Sequence, residues 1–295
     1  MIAIVGAAGK VGFATATALR NAGVPVRAIL REETKASRLT EIGCETAVAD
    51  LQDSAALARA IGDAESVQVI IPPAPQVKDT AAQMRQAIES VATALETVRP
   101  KHILAISDYG AHVDRDIGMP TLCRSFEERV SKVDNARKII LRSAEHMQGW
   151  GPAVLAAVTS GVLTSFHDPV DMRFPTISAP DLGVIAANLW LQLDADGKDV
   201  EIVHAEGPDR YSANDVAASL SELLGRSIRV QTVPRTQWRA AFETVMSPTL
   251  ADLLIKANDA QNQPGVVDVD PNCKDVRYGT TTLIDALRPL IPKTQ

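Results

Sequence analysis

Met1-Ile2-Ala3-Ile4-Val5-Gly6-Ala7-Ala8-Gly9-Lys10-Val11-Gly12 opens the chain, and its reading decides the fold. Ile2–Val5 is a short apolar, β-branched run of the kind that forms a fully buried strand. It stops at three glycines spaced G-x-x-G-x-x-G, and a helix-period segment follows over residues 10–22. Strand, glycine turn and helix in that order make the first half of a βαβ unit. Glycine lets the backbone turn tightly and come close to a pyrophosphate, whose charge is met by amides at the helix N-terminus. No G-x-x-x-x-G-K-[ST] is present, so the loop reads as a dinucleotide cradle and not as a Walker loop.

Beyond it, the first half keeps the same rhythm. Apolar runs at Val26–Leu30, Thr46–Val48, Val67–Ile71, His102–Ile106 and Lys138–Leu141 alternate with helical segments near 34–42, 53–61, 78–98 and 120–134. Asp53-Ser54 reads as a helix start, and Pro72, Pro73 and Pro75 end the fourth strand, because proline cannot lie inside a sheet. The runs lack apolar/polar alternation, as strands buried on both faces do. The expected fold class is α/β, a Rossmann-type doubly wound parallel sheet. Residues 1–150 are expected to form the nucleotide-binding domain. Residues 151–295 read as a smaller, mostly helical substrate portion packed on it, with strand-like pieces at Val162–Phe166, Arg173–Ile177, Glu201–His204 and Ile228–Val233.

Composition limits the function classes. The 295 residues are 46% hydrophobic and 22% charged with a net charge of −6, and no Lys/Arg run suggests a nucleic-acid or anionic-membrane surface. Apolar stretches fall short of the roughly 20 residues of a membrane span. The opening run lacks a basic segment ahead of it and reads as a strand instead of a signal peptide. Cys44, Cys123 and Cys273 are scattered, as reduced thiols are, and a cytoplasmic location is expected. The histidines show no metal-ligand spacing, so no metal is expected.

The strand ends carry the ligand chemistry. Arg31, with Lys35 four residues on, stands where an acidic residue would hold a ribose 2′-hydroxyl; a basic pair suits a 2′-phosphate. A charge-assisted contact is worth about 1.5–3 kcal/mol, roughly a 10- to 100-fold preference for NADP(H). Glu32 and Glu33 dilute that field. Asp50-Leu51 follows strand three, Ile71-Pro72-Pro73 ends strand four, and Ser107 ends strand five, all on one carboxyl edge.

The Gly6–Gly12 loop, Arg31 with Lys35, Ala49-Asp50-Leu51-Gln52-Asp53-Ser54, Ser107…Gly110-Ala111 and Leu141-Arg142-Ser143-Ala144-Glu145-His146-Met147-Gln148 together resemble the NmrA-like family. So do Ser178-Ala179-Pro180-Asp181-Leu182-Gly183, Gly207-Pro208 and Leu224-Gly225-Arg226 farther along. The resemblance implies an atypical short-chain dehydrogenase of the group that holds NADPH-dependent quinone and dye reductases and NADP-sensing regulators.

Proton chemistry is where the chain departs from that pattern. Standard short-chain dehydrogenases pair a tyrosine with a lysine four residues later, whereas Tyr109, Tyr211 and Tyr278 are followed there by Val113, Asp215 and Thr282. Arg124 stands at the place where the family often has a lysine, and it cannot give up its proton near neutrality. His146 replaces a phenylalanine of the family run. Tyr109, His146 and Arg124 are therefore the catalytic candidates, and Tyr109, His146, Trp150 and Phe166 the candidate lining of a small-molecule substrate pocket. The function expected is an NADP(H)-dependent reductase of conjugated carbonyls, quinones or iminium ions, acceptors that need little acid help. A non-catalytic NADP(H) sensor acting through a protein partner is the first alternative, and an isomerase or cyclase without net redox the second.

Overall fold

Ile2–Val5 forms strand β1 with all of its residues buried, and consecutive side chains go to opposite faces of the sheet. Ile2 and Ile4 join one core with Leu19, Leu182 and Ile185, while Ala3 and Val5 join another with Leu57, Ile88, Val91 and Phe126. Two covered faces explain why the strands read as continuous apolar runs. The computed structural model describes residues 1–193, 199–273 and 275–292.

The strands are β1, β2 (Val26–Leu30), β3 (Glu45–Val48), β4 (Ser66–Val69), β5 (His102–Asp108), β6 (Arg137–Ser143), β7 (Glu145–His146), β8 (Val162–Ser165), β9 (Thr176–Ile177), β10 (Val200–Glu206), β11 (Arg229–Thr232) and β12 (Val276–Tyr278). The helices are α1 (Lys10–Asn21), α2 (Ser37–Glu41), α3 (Ser54–Ile61), α4 (Thr80–Val98), α5 (Met119–Ser131), α6 (Gly151–Ser160), α7 (Ala179–Leu191), α8 (Ala213–Leu224), α9 (Trp238–Glu243), α10 (Pro248–Gln261) and α11 (Leu283–Leu287). Eight strands make one sheet in the order β12-β10-β6-β5-β4-β1-β2-β3, and the pairs within it are parallel. The order turns back between β1 and β4, which opens a crevice at their carboxyl ends.

The sheet is wider than the six-strand reading of residues 1–150. β10 and β12 come from the second half and pair onto β6, so both halves of the chain share one sheet. β12 escaped the sequence reading because it is three residues long and largely exposed. β4 ends at Val69, before the run's last two residues, and of the run Arg173–Ile177 only Thr176–Ile177 forms a strand, paired with β7, while Phe174 makes an isolated antiparallel bridge to Tyr211. α6 also went unread, since it begins at Gly151-Pro152. Asp53 caps α3 as expected, accepting from the Ala56 amide at 2.9 Å.

α7 lies against α1 through Gly183, where a Cβ would fall 2.6 Å from the Ala14 Cβ and 2.9 Å from the Thr15 amide. Beneath this contact Trp190 Nε1 donates to Gln68 Oε1 and Gln68 Nε2 donates to Thr15 Oγ1, each at 3.1 Å, tying β4 to both helices. Gly183→Ala is expected to overpack the contact and cost about 1–3 kcal/mol, read as a lower midpoint in urea unfolding with unchanged slope. Among the described residues no helix is long and apolar enough to cross a membrane.

Candidate active site

A cleft of ≈1490 Å³ runs along the carboxyl ends of β1, β2, β4, β5 and β6. Its floor is the glycine loop. Gly6 has φ +87°, and a Cβ there would lie 2.6 Å from Ile70 Cγ2. At Gly12 a Cβ would lie 2.5 Å from the Gly6 carbonyl oxygen and 2.7 Å from Ala7 Cα, so this glycine lets α1 start directly under the loop. The N-cap of α1 is Gly9, which brings no side chain to accept from the first-turn amides. Those amides are left to meet an anion. Gly6, Ala8, Gly9, Lys10, Val11 and Gly12 all line the cleft, and Ala7 does not: it is fully buried in the core.

The other strand-end candidates also come to this wall. Arg31, Lys35, Asp50, Leu51, Ile71, Pro72, Pro73 and Ser107 line it. Arg31 and Lys35 are not free, because Glu32 lies between them, 3.0 Å from Arg31 Nη2 and 3.7 Å from Lys35 Nζ. Their charges hold the Glu32 carboxyl below the usual range, Arg31 by hydrogen bond first and then Lys35. Ser107 is committed as well. Its hydroxyl donates to Glu127 Oε1 at 2.5 Å, and Glu127 is clamped by Arg142 at 2.7 and 2.9 Å.

Past β5 and β6 the same cleft continues as a chamber. Trp150 and Phe166 line it, and Phe166 stacks on Phe242 of α9 with ring centroids 4.3 Å apart. His146 lines it too. Burial first, and then Lys10, push its pKa down to about 4, so the ring is neutral at pH 7 and holds no imidazolium proton to give. Tyr109 borders the cleft but is 1% exposed, edge-on to His204 at 5.0 Å, with its hydroxyl unpartnered. Burial raises the phenol pKa further, which removes Tyr109 as a proton donor. Arg124 does not reach the chamber: it donates to the Val113 carbonyl at 2.7 Å and to Asp114 at 3.2 Å. One residue earlier on the same helix, Cys123 faces the cleft in its place.

A strand-turn-helix cradle with bare helix amides at a sheet's turning point is built for a dinucleotide. Residues 6–144 match the NAD(P)H-binding family. This half of the chain is an NAD(P)H-binding domain. The match agrees with the resemblance to the NmrA-like group. The chain is 27% identical over 256 residues to an NAD(P)H azoreductase of Xenophilus azovorans, covering 86% of this chain and 85% of that one. It is 25% identical to quinone oxidoreductase 2 of Escherichia coli K12, covering 98% of both. Among solved structures, the triphenylmethane reductase of Citrobacter sp. complexed with NADP(H) shares the fold, with a TM-score of 0.79, 18% identity and coverage of 98% and 99%.

Two acidic residues at the chamber end of the NAD(P)H-binding domain were not singled out by the sequence. Asp108 is the last residue of β5, and Glu145 follows β6; both line the cleft. Glu145 accepts from Gln261 Nε2 of α10 at 2.8 Å, with His167 Nε2 3.8 Å away. Burial first, then the Glu145 carboxylate, push the Asp108 pKa up to about 7. Among the described residues the Lys and Arg side chains lining the cleft are Lys10, Arg31 and Lys35, all at its glycine-loop end. Among the described residues no cluster of His, Cys, Asp and Glu could hold a metal ion.

Proposed function

We propose that the protein is an NADPH-dependent reductase that transfers hydride to a small conjugated carbonyl, quinone or iminium acceptor. One observation carries the reading: the dinucleotide cradle and the aromatic-walled chamber are parts of a single cleft at the carboxyl ends of the strands. The names of the two curated relatives, an azoreductase and a quinone oxidoreductase, support it.

The residues divide the work. The first-turn amides of α1 and Lys10 meet the pyrophosphate. Arg31 and Lys35 turn from Glu32 to the 2′-phosphate. Ile71-Pro72-Pro73 flanks the reactive end of the cofactor, whose dihydronicotinamide supplies the hydride when bound. Trp150, Phe166 and Phe242 hold a flat conjugated acceptor and keep water from it.

Glu32 competes with the 2′-phosphate for the same two cations. Glu32→Gln is therefore expected to tighten NADPH binding about two- to fivefold, with NADH binding unchanged or weaker. Side-by-side fluorescence titrations read this, and a gain for NADH would reverse the assignment.

Charge selects the acceptor. Among the described residues the chamber holds Asp108 and Glu145 and no Lys or Arg, so an anionic acceptor meets an unfavourable field. Steady-state NADPH oxidation with a neutral quinone, a cationic dye and a sulfonated dye of similar size tests the function. Turnover of the first two is expected, with kcat/KM for the sulfonated dye lower by about tenfold or more. No NADPH oxidation with any of the three would refute the reductase reading.

A further inference from the structure

We propose that Asp108 is the catalytic acid, giving its carboxyl proton to the acceptor atom that becomes electron-rich when hydride arrives. The proposal rests on the reductase reading. As the acceptor carbon forms its new C–H bond and NADPH is oxidised to NADP⁺, the electron pair moves onto a carbonyl or quinone oxygen. The Asp108 O–H bond then breaks, an O–H bond forms on the product, and solvent entering the cleft returns the proton to the carboxylate.

Placement carries the argument. Asp108 ends β5 in register with Ser143 of β6, at the carboxyl edge between the cradle and the chamber. Burial and the neighbouring acids favour the protonated carboxyl and outweigh the Tyr109 amide, which favours the carboxylate. Glu145 faces it from the segment after β6, and Cys123 and Glu127 face it from α5. On the neighbouring strand, Arg142 is spent on Glu127 and Asp270, at 2.7 and 2.9 Å. Lys10 is the cation beside His146, across the cleft.

The other cleft groups cannot do this task at neutral pH. His146 is already deprotonated, Tyr109 is in the core, and burial with the nearby Asp108 and Glu127 carboxylates raises the Cys123 thiol well above its ordinary value. Two carboxyls share the chamber: Glu145 receives the Gln261 amide, and Asp108 beside it titrates near 7. Burial beside a second carboxylate is a usual way for a site to keep an acid protonated near neutrality.

Three readouts test the assignment on the full chain. In the cofactor-free protein, ¹³C-carboxyl NMR of Asp108 should show a midpoint near 7; a midpoint in the ordinary range of about 4 overturns the proposal. With NADPH and a neutral quinone, kcat/KM should fall as pH rises through that midpoint. Asp108→Asn should lower kcat by about 100-fold, and its loss on a cationic iminium dye, which takes hydride without a proton, should be smaller by at least about tenfold. Glu145→Gln removes the like charge, so the falling limb should move to lower pH by roughly half a unit or more. This second variant keeps the test open if the asparagine protein does not fold. Wild-type turnover with an unmoved limb and an unaffected asparagine variant overturns the Asp108 role and leaves the reductase reading standing. A wild-type protein inert to every acceptor overturns both.

Discussion

Gly12→Val should raise the Kd for NADPH by at least about 100-fold, the scale at which displacing a binding group by an ångström is felt. The reason is local. A Cβ at this position falls 2.5 Å from the Gly6 carbonyl oxygen and 2.7 Å from Ala7 Cα, and both are backbone atoms that no rotamer change can clear. The loop must lift from the first turn of α1, which moves the amides away from the pyrophosphate. Gly23, with φ +79° at the far end of the same helix, has open space where its Cβ would go. Gly23→Ala is the control: it strains the backbone by about 1 kcal/mol and should leave Kd unchanged. Isothermal titration of both variants decides the point. Equal weakening by the two would mean that helix stability, and not the cradle, controls binding.

The second large effect is on stability in acid. Burial holds both His146 and His204 at about 4, far below an ordinary imidazole. Both rings are neutral when folded and gain a proton more readily when unfolded. Their contribution is therefore fully present above the unfolded value, about 6.5, and is lost as pH falls through about 4. The two together should remove roughly 4–6 kcal/mol of unfolding free energy between pH 7 and pH 4. His204 is fully buried, and its Nε2 accepts from the Asp270 amide at 3.2 Å, a bond glutamine can keep without a titrating ring. His204→Gln should flatten the pH dependence of urea unfolding by about half of that amount. An unchanged slope would mean that the ring is solvated in the folded state. Asp108 acts in the opposite sense. Its raised pKa costs nothing below about 4 and destabilises increasingly as pH rises toward 7, where the half-buried carboxyl must ionise.

The fold was legible from the opening strand and glycine loop because geometry there depends on residues adjacent in sequence. Gly6, Gly9 and Gly12 fix the turn, and the continuous apolar runs follow from two covered faces, as the split of Ile2 and Ile4 from Ala3 and Val5 shows. That the glycine-loop residues line one cleft was legible for the same reason, Ala7 excepted, whose side chain turns into the core. The chamber was not. Which of Cys123 and Arg124 faces the cleft depends on the phase of α5 against the sheet, and a one-residue offset reverses it. Asp108 gave no local signal: its character comes from Glu145, thirty-seven positions on, and from burial set by β6 and α5. Tyr109 and His146 have the right chemistry in isolation and lose it to burial, which sequence spacing does not report. β12 joined the sheet unannounced, since three largely exposed residues carry no periodic pattern.

The most direct test mixes the purified protein, loaded with one equivalent of NADPH, with a neutral quinone in the absence of oxygen. NADPH absorbance and hydroquinone are followed through a single turnover. Loss of bound NADPH matched one-for-one by hydroquinone, faster than the same mixture without protein, is the result expected of a reductase whose cradle and chamber form one cleft. Bound NADPH that persists beside the quinone, and beside a cationic dye put in its place, would contradict it.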